Sequence, residues 1–188
     1  HFITGEGGPT EIINTSAFSV IFSGRLSIYR GERCEEPKIA IHEIFHVLGF
    51  DHNNNSNSIM YPITNCDQEI DQYIIETINR LYTISSLPDL SIEKIEANRS
   101  GRYLNFQIVI GNIGIKESSS GELRVLSGSE IVKSFELETI DIGTRKFINV
   151  QNLRIQKDTD KITFEIVSSD NELSKSNNIV EMSAIPLG

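Results

Sequence analysis

Apolar residues recur in two rhythms along the 188-residue chain. Before residue 83 lie two stretches in which they fall three and four apart, the spacing of one helix face. The first covers residues 37–48. Ala40, Ile41, Ile44, Val47 and Leu48 fall on one side, and His42 and His46 on the other. Pro37 suits its first turn, where a missing N–H costs nothing. Glu35 and Glu36 place negative charge where a helix N-terminus favours it. Gly49 ends the helix, because glycine tolerates the left-handed conformation found there. The second stretch covers residues 67–82, with Ile70, Ile74, Ile78 and Leu81 as its stripe and Asp67 as its cap.

From Leu90 onward apolar and polar residues alternate in short runs. Seven strands are predicted, over 90–95, 103–110, 123–126, 131–137, 147–150, 162–167 and 179–182, separated by Gly, Asn, Ser and Asp. That spacing predicts a β-sandwich of about 100 residues. Ser85-Ser86-Leu87-Pro88 reads as the linker before it, so the chain divides into domains at 1–86 and 87–188. The first 36 residues read as loops and strands. Gly5, Gly7, Gly8 and Pro9 mark a turn. Ala17 to Tyr29 is broken at Ser23-Gly24 and reads as two strands or a hairpin. Residues 51–66 read as a loop carrying Asn53-Asn54-Asn55-Ser56-Asn57.

Composition narrows the partners. The formal net charge is −9, of which −6 falls before Asp89 and −3 from there on. Neither part is a basic platform, so nucleic acid is excluded as a partner. No run of ~18 apolar residues exists, so no membrane span is expected. The chain starts with His1 and reads as a fragment or a processed product of a secreted protein. Cys34 lies eight residues before His42, and Cys66 six after Met60. The preferred reading is a disulfide, worth ~3 kcal/mol in the chain-entropy model and suited to an extracellular compartment. Two free buried thiols, or zinc ligation by cysteine, are the alternatives.

The chemistry concentrates in His42-Glu43-x-x-His46-x-x-Gly49-x-x-His52. Residues four apart on a helix share a face, so the His42 and His46 imidazoles can reach one ion. His-Glu-x-x-His on a helix is a known zinc-site pattern in which the glutamate is the general base. Gly49 turns the chain so that His52 can return as third ligand, leaving one position open. A zinc-bound water activated by Glu43 would attack a peptide carbonyl, and Glu43 would pass its proton to the leaving amine. The reading is a zinc-dependent endopeptidase that needs one catalytic Zn2+ and acts on a protein or peptide substrate.

The stretch from His42 to His52, followed after a short gap by Ile59-Met60-Tyr61-Pro62, resembles the metzincin zinc peptidases and, within them, the matrixin branch. The helix ending Ile78-Asn-Arg-Leu81-Tyr82 is similar to the closing helix of a matrixin catalytic domain. The resemblance covers roughly residues 10–82. It implies an α+β peptidase domain, here short of its N-terminal elements, followed by an all-β immunoglobulin-like sandwich. It implies that Met60 forms a Met-turn beneath the ligands and that Tyr61 and Pro62 line the substrate pocket. It also implies a substrate-pairing edge strand before Phe18, placed at Glu11 to Asn14. Structural calcium is common among matrixins, but the ligand-rich loops for it are not evident. Asn53 to Asn57 could donate oxygens to an ion and are read instead as a turn-forming loop.

The second half resembles the CARDB type of bacterial and archaeal adhesion-related domain. Pro88-Asp-Leu-Ser-Ile92, Gly111-Asn-Ile-Gly114 and Asp170-Asn-Glu-Leu-Ser-Lys-Ser-Asn177-Asn178 carry that resemblance. It implies a secreted or cell-surface protein of a bacterium or archaeon, with a surface or matrix partner for this domain. Two other readings stay open. In one, the sandwich binds a partner and the metal region is a relic. In the other, the zinc chemistry acts on a cell-wall peptide.

Overall fold

The structure is a computed structural model that describes residues 4–31 and 33–183. Nine strands and two ten-residue helices are found among them, in the order β1 (Gly5–Asn14), β2 (Ser19–Ile28), α1 (Lys38–Val47), α2 (Gln72–Leu81), β3 (Leu90–Ser100), β4 (Tyr103–Asn112), β5 (Gly121–Ser127), β6 (Glu130–Leu137), β7 (Arg145–Arg154), β8 (Lys161–Ser168) and β9 (Ile179–Ser183). The molecule is mostly β. The expected α+β class, with a metzincin-like peptidase domain at its N-terminus, is therefore overturned. The residues before α1 supply only a two-stranded sheet, too narrow for a multi-stranded layer covered by helices. His1 lies outside the described residues.

The chain divides into two compact units. One comprises the chain up to Ile13 together with Ser19–Ser85. The other comprises Asn14–Phe18 and the chain from Ser86 onward.

In the first unit, β1 and β2 pair. The Tyr29 N–H donates to the Thr4 carbonyl at the end of this pair. Gly5, Gly7, Gly8 and Pro9 lie inside β1 rather than in a turn, and Ser23-Gly24 lies inside the unbroken β2. Close packing accounts for Gly7 and Gly24, whereas a Cβ on Gly8 would meet nothing within 4 Å. A Cβ on Gly7 would meet the Glu43 carbonyl oxygen at 2.2 Å, and one on Gly24 would meet the Val47 side chain at 2.4 Å. The hairpin thus rests against α1 through positions that only hydrogen can fill.

α1 buries parts of both sides, and Ile41 packs against the small core. Ile39, His42, Glu43 and Phe45 are buried, while Ile44 and Leu48 are exposed. α2 begins later than its apolar stripe suggests, at Gln72, with Asp71 rather than Asp67 at its N-cap position. Its one buried residue, Ile74, joins Phe45, Ile59 and Met60 in a small core. The Cys34–Cys66 disulfide forms, and its Cα atoms lie 5.3 Å apart. The described residues hold no free cysteine.

In the second unit all seven expected strands are present. They form two antiparallel sheets, ordered β3-β4-β7 and β6-β5-β8-β9. Alternation explains the core. Leu104, Phe106, Ile108 and Ile110 of β4 and Ile162, Phe164 and Ile166 of β8 point inward at period two. The Phe106 and Phe164 rings meet edge to face at 5.0 Å between the sheets.

Candidate metal centre

α1 carries His42 and His46 one turn apart, and its C-terminus delivers the third histidine. Gly49 adopts φ +87°. Its N–H donates to the His46 carbonyl, and the Phe50 N–H reaches back to the Phe45 carbonyl at 2.9 Å. This pair of bonds, with the Phe45 and Phe50 rings 5.7 Å apart, is a Schellman ending. It reverses the chain and brings His52 beside the helix. It also turns the Phe50 carbonyl onto His46 Nδ1 at 2.7 Å.

The three Nε2 atoms form a near-equilateral triangle. His42 and His46 are 3.0 Å apart, and His52 is 3.1 Å from each. His42 Nδ1 lies 2.5 Å from the Ile59 carbonyl. A carbonyl oxygen only accepts, so Nδ1 of His42 and of His46 must carry the proton. In a neutral ring that leaves the Nε2 lone pair facing its neighbours. Lone pairs at this distance repel unless a cation lies between them. A tetrahedral zinc about 2.0–2.1 Å from each nitrogen would hold them roughly 3.3–3.4 Å apart, close to what is found. The donor set therefore fits the ion. Burial pushes the His42 and His52 pKa values down, which favours the neutral, ligating form.

Glu43 is buried beside this triangle. Burial pushes its carboxyl above the usual carboxylate range, opposed by the charges of His46 and His52. With the three histidines it lines a cavity of about 340 Å³, to which Gly5, Glu6 and Gly7 of β1 and Pro62 and Thr64 also contribute. Two expectations meet this geometry. Pro62 lines the cavity, but Tyr61 is not among its lining residues. The part of β1 that reaches it is Gly5–Gly7, not Glu11 to Asn14. A larger cavity of about 750 Å³ lies beside the disulfide, lined by Glu35, Glu36, Lys38, Cys66, Asp67 and Glu69 among others, and no histidine lines it. The smaller cavity is the one that the three histidines and Glu43 share.

A polar network that the sequence does not announce fixes the loop beneath the histidines. The Asp71 carboxylate accepts from the Asn53 amide at 3.0 Å, the Asn55 amide at 3.1 Å and the Ser58 hydroxyl. Ser58 Oγ in turn accepts the Met60 N–H at 2.9 Å. The Asn53 N–H donates to the Met60 carbonyl, and the Ile59 N–H to the Glu69 carbonyl. Ile59 is thereby held with its carbonyl on His42, and Met60 is fully buried beside Phe45, Ile59 and Ile74. Asn53 and Asn55 also cap backbone N–H groups two residues on, so the Asn-rich run is a series of Asx turns. Only the N-cap position of Asp71 could have marked it, and its side chain makes no cap bond.

The family described as Matrixin matches residues 29–83, under a third of the chain. No curated protein matches it. Two of the solved structures it is similar to are domains of archaeal proteins. The CARDB domain of a Pyrococcus furiosus protein, solved with di-metal ions, is 17% identical with a TM-score of 0.45, covering 53% of this chain and 96% of its own. A domain of a candidate cell surface protein from Methanosarcina acetivorans is 16% identical with a TM-score of 0.45, covering 53% of this chain and 93% of its own. The segment that holds all three histidines is thus matrixin-like in sequence.

Proposed function

We propose that the chain is a zinc-dependent endopeptidase in which Glu43 is the general base. The observation that carries this is the convergence of three Nε2 lone pairs, two of them fixed by carbonyls on Nδ1, beside a buried carboxylate in one cavity. His42, His46 and His52 would hold the ion. Zinc, when bound, supplies a positive charge that acidifies water and polarises a carbonyl. Glu43 takes a proton from the attacking water as the carbon–oxygen bond forms, and returns it to the amine as the carbon–nitrogen bond breaks. Met60 supports the ligands from below, and Pro62 with Thr64 bounds the substrate's side chains. The disulfide supports a secreted or cell-surface location. Among the described residues no helix is long and apolar enough to cross a membrane.

Glu43→Ala tests the mechanism. The variant retains one zinc per chain, while casein cleavage falls by about 10²–10⁴-fold or more. Undiminished cleavage would refute the role of Glu43. Running peptidoglycan beside casein separates protein from cell-wall peptide substrates.

A further inference from the structure

The second unit buries two carboxylates that the peptidase chemistry does not use. Asp89 precedes β3, and Glu172 lies in the loop between β8 and β9; they are 6% and 8% exposed. The donors that reach them are neutral. The Leu90 N–H binds Glu172 Oε2 at 2.8 Å, the Asn178 amide binds Glu172 Oε1 at 3.0 Å, and the Asn177 amide binds Asp89 Oδ1 at 2.9 Å. Lys175 is the nearby cation that acts on Glu172. Two carboxylates this buried cost several kcal/mol unless their charge is met.

A second observation points the same way. The side-chain oxygens of Asn177 and Asn178 are buried and have no hydrogen-bond partner, and Asn178 is only 4% exposed. Buried polar atoms are rarely left unsatisfied. These oxygens sit on the same amide groups whose nitrogens touch the two carboxylates. The cluster therefore offers carboxylate and amide oxygens, formal charge −2, and no nitrogen lone pair. Hard divalent cations take such ligands, and calcium tolerates irregular sets of them.

We infer that Asp89, Glu172, Asn177 and Asn178 form a calcium site that ties the start of β3 to the loop before β9. That loop already grips β3 through the backbone. The Ile92 N–H donates to the Asn177 carbonyl, and the Leu173 N–H to the Pro88 carbonyl. An ion there joins residues more than 80 positions apart. The site is distinct from the histidine centre, whose nitrogen donors suit zinc.

The test is thermal unfolding of the zinc-loaded chain with and without calcium chloride, with terbium luminescence as a direct probe of occupancy. Calcium at tenfold over its dissociation constant raises the melting temperature of the second unit by about 5 °C or more. Terbium luminesces and is displaced by calcium. Glu172→Gln and, independently, Asp89→Asn remove the calcium-dependent rise while far-ultraviolet circular dichroism still reports a folded chain. Should either variant fail to fold, Asn177→Asp is the second arm, and its added charge tightens calcium binding. The site is refuted if calcium and terbium leave the wild type unchanged, if the rise persists in a folded Glu172→Gln or Asp89→Asn chain, or if Asn177→Asp leaves the affinity unaltered.

Discussion

The two units reach order by different means. Among the described residues the second gathers thirteen buried apolar side chains into one cluster, drawn from both sheets. The first gathers four. Fully burying a side chain such as Leu, Ile or Phe stabilises by about 1.5–3 kcal/mol, so the second unit can rest on its core. The first adds a disulfide, a polar web around Asp71 and a set of converging histidines. Small cores commonly need such staples. The lesson is that the region with the histidine triangle leans on specific bonds, and the other region chiefly on bulk burial.

This contrast can be broken by measurement, and the largest effect is expected in the second core. Phe164 is fully buried. Phe164→Ala costs about 3–5 kcal/mol, read as lost hydrogen-exchange protection in β5 and β8 with α1 unaffected. Equal loss in α1 would mean that the units do not hold their order separately. Replacing Cys34 and Cys66 together by serine costs about 2–5 kcal/mol. Here the loss of protection falls in α1 and α2, and casein cleavage becomes more sensitive to heat. A stable double variant would show that the first unit's core suffices.

Much of the second unit is legible in the sequence, because period-two alternation survives wherever one sheet face is buried. Ile162, Phe164 and Ile166 state their own direction. The histidine site is legible too, because ligand spacing on a helix is local. The first unit's packing is not. α1 buries the face that bears His42 and Glu43 and exposes Ile44, against its apolar stripe. Gly5 and Gly7 resemble turn residues until Glu43 is placed against them. Asp71 and Ser58 are 13 residues apart and meet only in the fold. Nonlocal contacts of this kind leave no periodic trace.

Smaller effects sharpen the comparison. Gly49→Ala places a Cβ at φ +87° and costs about 1–2 kcal/mol. It loosens the turn that presents His52, so zinc affinity falls along with stability in the first unit alone. The smallest effect concerns pH. Burial pushes the carboxyls of Asp89 and Glu172 above the usual carboxylate range. Each binds its proton more readily folded than unfolded. Its stabilising contribution is full below the ordinary carboxylate pKa and is lost as pH rises through the raised value. In chelator, the second unit therefore gains stability from these groups as pH falls from neutral through that window. An Asp89→Asn, Glu172→Gln chain shows a flatter profile, and an unchanged slope would assign it to other groups.

The glycines of β1 have a consequence for anyone wishing to retune the cleft. At Gly5 and Gly7 the main chain packs directly onto Glu43, so of the three β1 residues that line the cavity only Glu6 presents a side chain. No side chain can be added at Gly5 or Gly7 without displacing Glu43. Pro62 and Thr64 also line the cavity and do carry side chains. A library confined to those two positions would leave the histidine triangle in place and test whether they set which peptides the proposed peptidase cuts.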